Sequence, residues 1–187
     1  MIIIKRVLIY TIILFFVKAG WGQFSPSSKS ESLISLTDSI LKQEISTFTL
    51  RGRDNHYSVK PRLEEIPLRK CSDSFASFNK GNFYGTEIIV KIESDSTGTI
   101  TNLYYELHGK YLVEIPKRIF SDINGAQFCQ QNSRKNNPIS SEYKVFRSKD
   151  KRRGYVYMLN GDGTSKYEVT WVIQNSEYLT RVIDCCF

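Results

Sequence analysis

The chain has 187 residues, with 26 Lys and Arg against 19 Asp and Glu, 41% hydrophobic and 13% aromatic residues. That composition excludes a disordered chain, and the length suits one domain with a real core better than two. The formal charge of +7 excludes less than it suggests, because Lys5, Arg6 and Lys18 stand at the extreme N-terminus.

Residues 1–22 read MIIIKRVLIYTIILFFVKAGWG: a basic head, an unbroken apolar run from Val7 to Val17, then small residues. This is the layout of a cleaved secretory signal peptide. Eleven apolar residues rise only about 16 Å as a helix, roughly half the hydrocarbon thickness, so no stable membrane span is expected once cleavage has occurred after Ala19 or Gly22. Removing the three cations leaves 23 basic groups against 19 acidic ones, a net charge of +4. That is an ordinary value for a soluble domain. The densest basic cluster, Lys149, Lys151, Arg152 and Arg153, is broken by Asp150 and reads as a hairpin turn. Nucleic acid is therefore not an expected partner.

Residues 23–29 read as a disordered leader to a single domain over 30–187. From Ser30 to Leu50, the residues Leu33, Leu36, Ile40, Leu41, Ile45 and Phe48 recur at threes and fours. The spacing predicts an amphipathic helix, with Ser30 as N-cap and Glu31 at the positive end of its dipole. The stretch 51–70 carries two prolines, many charges and no period, and reads as a long irregular loop. The aromatic cluster Phe75, Phe78, Phe83 and Tyr84 follows.

The period then changes to two. Ile88, Val90 and Ile92 alternate with Glu87, Lys91 and Glu93, DSTG turns the chain, and Leu103, Tyr105 and Leu107 alternate again. That predicts a hairpin. Pro116 and Gly125 bracket a short second helix. From Tyr143 onward, YKVF, GYVYML, KYEVTWVI and YLTRVIDCCF are joined by turns too short for parallel pairing, so the end of the chain should be an antiparallel meander. The predicted class is α+β: an N-terminal amphipathic helix packed on an antiparallel meander of about five or six strands, with a second short helix. That order is similar in architecture to cystatin-like and NTF2-like folds, and the likeness brings no functional residue with it.

In an oxidising compartment the four cysteines, Cys71, Cys129, Cys185 and Cys186, favour disulfides. Neighbours on a strand point to opposite faces, so Cys185 and Cys186 are each expected to reach a different one of Cys71 and Cys129. A single bridge with the other thiols reduced, or a vicinal redox pair, are the alternatives.

His56 and His108 are the only imidazoles, and no nucleophile motif surrounds a cysteine. NGDGT opens like a calcium loop through Asn160, Asp162 and Thr164, but its twelfth position is Trp171 rather than a bidentate Glu. No catalytic residue, metal or cofactor is expected. What stands out is aromatic surface: Tyr104 and Tyr105 are adjacent on a strand, so one must face outward, and Tyr155 and Tyr157 share a face. With Arg51, Arg53 and His56 from the loop, these are the candidate binding residues. The expected function is an exported, non-enzymatic binding or structural domain of the envelope or extracellular space, with another exported protein or a small ligand as partner. The alternative is a thiol–disulfide redox protein or cysteine-dependent enzyme using Cys185 and Cys186.

Overall fold

A computed structural model describes residues 30–54, 63–82, 85–107, 111–126, 128–129, 141–161 and 163–185. Two sheets dominate it. The first has six strands: β1 (Ser30–Glu31), β2 (Leu63–Ile66), β8 (Tyr143–Ser148), β9 (Arg153–Asn160), β10 (Tyr167–Gln174) and β11 (Glu177–Cys185), in the spatial order β1-β11-β10-β9-β8-β2. The second has five: β3 (Leu68–Cys71), β4 (Phe75–Asn82), β5 (Gly85–Ser94), β6 (Ile100–Leu107) and β7 (Tyr111–Glu114), in simple sequential order. All pairings are antiparallel except that of β1 with β11.

The expected hairpin is β5–β6 and the expected terminal meander is β8–β11. The expected class is corrected. In place of one sheet under a long helix there are two sheets, and the only α-helices among the described residues are α1 (Ser39–Ile45) and α2 (Leu50–Asp54). Ser30 is not an N-cap but a residue of β1, and the cap is Asp38, whose carboxylate accepts from the amides of Ile40 and Leu41 at 2.9 and 3.1 Å. α1 stops early because Ser46 and Thr47 turn their hydroxyls back onto the carbonyls of Gln43 and Glu44, offering the backbone an alternative to the helix. The second helix shrinks to a 3-10 turn over Lys117–Ile119.

The supposed loop 51–70 is corrected as well. Its last third forms β2 and β3 on either side of Pro67, which cannot donate to a ladder and passes the chain from one sheet to the other. At that crossing Glu64 accepts from Arg147 at 2.7 Å and pairs with Lys80, tying β2 to both sheets.

One core lies between the sheets. Phe78, Val90, Ile92, Leu103 and Tyr105 of the five-stranded sheet join Val145, Val156, Met158, Val169, Trp171 and Ile173 of the other, all buried. The sheets come close at Gly154 on β9, where a Cβ would stand 2.8 Å from the ring of Tyr105. A second core lies on the opposite face of the six-stranded sheet. Leu33, Leu36, Leu41, Ile45 and Phe48 cover Phe146, Tyr155, Tyr157, Val172 and Val182, and Phe48 stacks on Phe146 with ring centroids 4.5 Å apart. Residues 30–54 thus form a roof, and β10 is buried on both faces for that reason.

Cys71 is bonded to Cys129, with Cα atoms 5.9 Å apart. The expected pairing of each with a terminal cysteine is corrected. Cys71 lies on the short strand β3 beside the first core, and the segment after the 3-10 turn brings Cys129 to it, whereas Cys185 ends β11, a strand of the other sheet.

Candidate functional site

The two sheets each turn one face away from the shared core, and the candidate tyrosines divide between them. On the six-stranded sheet, register places Arg153, Tyr155 and Tyr157 of β9 beside Glu168 and Val172 of β10, and Asp184 of β11 opposite Glu168. The roof closes over all of them. Tyr155 is 0% and Tyr157 4% exposed, which takes both off the surface.

Carboxylates hold the roof down. Glu44 of α1 accepts from both ends of the Arg153 guanidinium at 2.8 and 2.9 Å, and from the Tyr155 hydroxyl. Glu168 accepts from the Tyr157 hydroxyl at 2.8 Å and from the Leu50 amide. Asp184 accepts from the Leu33 amide at 3.0 Å and faces Arg51 at 3.5 Å. Burial pushes the Tyr155 hydroxyl well above its ordinary range, and the Glu44 carboxylate adds to the shift. Burial likewise raises the Glu168 carboxyl, and Asp184 opposes its ionisation further. One Glu168 oxygen is buried with no hydrogen-bond partner. This is a fastening rather than a ligand site.

Among the described residues, nothing packs over the outward face of the five-stranded sheet. Alternation sends Ala76 and Phe78 of β4 inward, so Phe75, Ser77 and Asn79 face out, joined through the register by Lys91 and Glu93 of β5 and by Asn102 and Tyr104 of β6. Tyr105, next in the chain, is buried in the first core. Lys91 lies 5.4 Å from the centre of the Tyr104 ring. Its ammonium is held protonated to higher pH than usual, first by a hydrogen bond to Tyr104 and then by the charge there. Arg69 in the bulge of β3 donates from Nε to the Asn79 carbonyl at 3.1 Å, and Lys70 stands opposite Ser77. Arg69, Lys70, Phe75, Ser77, Asn79, Lys91 and Glu93 line a cleft of about 480 Å³ in which Phe75 is half-buried, and Tyr104 stands beside it against Lys91.

Of the residues singled out from sequence, Tyr104 alone is placed on this open face. Arg51 belongs to the roof itself, where it meets Asp184 with its side chain partly exposed, and Tyr155 and Tyr157 lie beneath. Arg53 lies in α2, His56 and Cys186 fall outside the described residues, and Cys185 is exposed at the end of β11. Phe75, Ser77, Asn79, Lys70 and Lys91 were not among the expected binding residues, although the alternation in FASFN already separates Phe75, Ser77 and Asn79 from Ala76 and Phe78.

A second cleft, about 500 Å³, lies at the β5–β6 turn between Asp73, Asp95, Thr97, Gly125 and Cys129. There Asp95 is held below the usual carboxylate range by the Thr97 hydroxyl and the Thr99 amide, which bond it at 2.6 and 3.1 Å. Its carboxylate shapes the turn, where Gly98 takes φ +76°. Among the described residues, no group of three or more His, Cys, Asp and Glu could hold a metal ion, and no helix is long and apolar enough to cross a membrane. Compared with protein-family models, with curated proteins and with solved structures, the chain has no match. The functional reading therefore rests on the chemistry of its own faces.

Proposed function

We propose that this chain is an exported, non-enzymatic binding domain of the envelope or extracellular space, and that its working surface is the outward face of the five-stranded sheet around Tyr104. The observation that carries the surface is the contrast in cover: the equivalent face of the other sheet is roofed by residues 30–54, while here Phe75 and Tyr104 lie half-buried beside three cations. Aromatic rings with a charged rim suit recognition of another molecule. Export is supported by the leader-like first 22 residues and by a disulfide, a bond that persists mainly in oxidising compartments.

Two measurements test this. Expressed with its N-terminus intact, the protein should be recovered outside the cytoplasm with Gly20 or Gln23 as first residue; retention in the cytoplasm with Met1 in place sinks the export reading. A photo-crosslinking residue at Ser77 should capture adducts in the native host that one at Leu179, exposed on β11, does not. Equal capture from both positions removes the surface assignment.

A thiol-based reading keeps one support, namely that Cys71 and Cys129 use each other and so neither engages Cys185 or Cys186. It requires the terminal pair to exchange rapidly with a small disulfide, and inertness toward such a reagent ends it.

A further inference from the structure

We infer that the ligand of this face is an anionic saccharide, with a sugar ring against Phe75 and its carboxylate or sulfate group between Arg69, Lys70 and Lys91. The inference rests on the preceding reading of the face and narrows it. The cleft spans β3 to β5, and the main-chain groups of β4 and β5 beneath it are spent on their ladders, so over Phe75 and Ser77 recognition falls to side chains, whereas an extended peptide would pair at the outer edge of β3.

Those side chains repeat along β4: an aromatic ring at Phe75, a hydroxyl at Ser77 and an amide at Asn79, successive ones about 7 Å apart on one face. An apolar surface followed by a hydroxyl and an amide fits a ring that carries hydroxyls. The cations supply the second half of the match. Arg69 spends its Nε on the Asn79 carbonyl, and a guanidinium's two terminal nitrogens suit the paired bonds that carboxylate and sulfate accept. Glu93, the one carboxylate among the described residues lining the cleft, accepts from Asn102 of β6 at 3.2 Å. Beyond Tyr104 the face turns acidic, with Glu106 on β6 and Glu114 on β7. That sign change confines an anionic chain to the β3–β5 half, running along the strands.

The test is a binding titration of the whole chain against sulfated heparin oligosaccharides, oligogalacturonate, poly-glutamate of matched charge and neutral dextran, at low and physiological salt. At least one of the two anionic saccharides should bind about tenfold or more tighter than poly-glutamate and dextran, and whichever binds better identifies sulfate or carboxylate as the anion. Lys70→Glu and Lys91→Glu should each weaken it about tenfold or more and flatten the salt dependence, while Phe75→Ala should weaken it with the salt dependence kept. Lys166→Glu, at an exposed position before β10, should change nothing. Equal binding of poly-glutamate overturns the proposal in favour of an acidic polypeptide. A salt-sensitive dimer abolished by Lys70→Glu overturns it in favour of a second copy of this chain. If no anion binds while Ser77 still captures adducts in the host, the ligand class is wrong and the face is right; if neither occurs, the reading of the face falls as well.

Discussion

The two outward faces of this molecule are built from the same alternation of strand residues and end in opposite states. On the six-stranded sheet the outward tyrosines are sealed beneath residues 30–54 and hydrogen-bonded to carboxylates. On the five-stranded sheet the outward tyrosine meets solvent beside a lysine. Tyrosine content alone therefore does not mark a binding surface. What decides is whether another part of the chain supplies apolar cover, and among the described residues the N-terminal segment, with Leu33, Leu36, Leu41, Ile45 and Phe48, supplies it to the six-stranded sheet.

The contrast can be broken at several points. The largest effect should come from the covalent clasp of the five-stranded side. Cys71→Ser opens a loop that spans 58 residues, and the chain-entropy model puts the loss near 4 kcal/mol, read as a drop in the denaturant midpoint. Next comes the roof: Ile45→Ala, at a fully buried position, should cost about 3 kcal/mol by leaving a cavity over Tyr155 and Val172. Unchanged stability would mean that the roof is not part of the folded core.

Glu44→Gln removes the closer of the two carboxylates facing Arg153 and should cost roughly 2 kcal/mol, since the largely enclosed guanidinium is left with the more exposed Asp150 at 3.3 Å. Glu168→Gln should act with the opposite sign. A carboxyl whose pKa is raised by folding favours the protonated native state, so its contribution is greatest in acid and is lost as pH rises through the folded value. The variant should melt a few degrees higher than the parent at pH 8 and lose that advantage toward pH 4; a difference constant with pH would show that Glu168 does not titrate across the range. Smallest of all, Lys70→Glu on the bare face should shift stability by no more than about 0.5 kcal/mol. A large loss there would mean that the face is structural, and the contrast between the two sheets would collapse.

Much of the β-structure was legible. The alternation of Ile88, Val90 and Ile92 with charged neighbours, and the short turns after residue 143, specify local pairing with little help from the rest of the chain. The first fifty residues misled because Leu33 to Phe48 carry a helical period that only α1 honours. Apolar residues at threes and fours can also meet a sheet from turns and a single helical stretch, and the tertiary surface selected that arrangement. β2 and β3 were hidden by Pro67 and by charges that edge strands commonly carry.

By itself, then, the sequence determined which residues alternate, where the chain turns back on itself and that Tyr104 and Tyr105 face opposite ways. The tertiary structure decided that there are two sheets rather than one, that Cys71 meets Cys129, and that the roof covers Tyr155 and Tyr157 while Phe75 and Tyr104 stay open. The reason is physical. Period and turn chemistry act over a few residues, whereas a disulfide 58 residues long and a roof bonded to Asp184 from Leu33 are set by which apolar surfaces remain to be buried once the strands have formed.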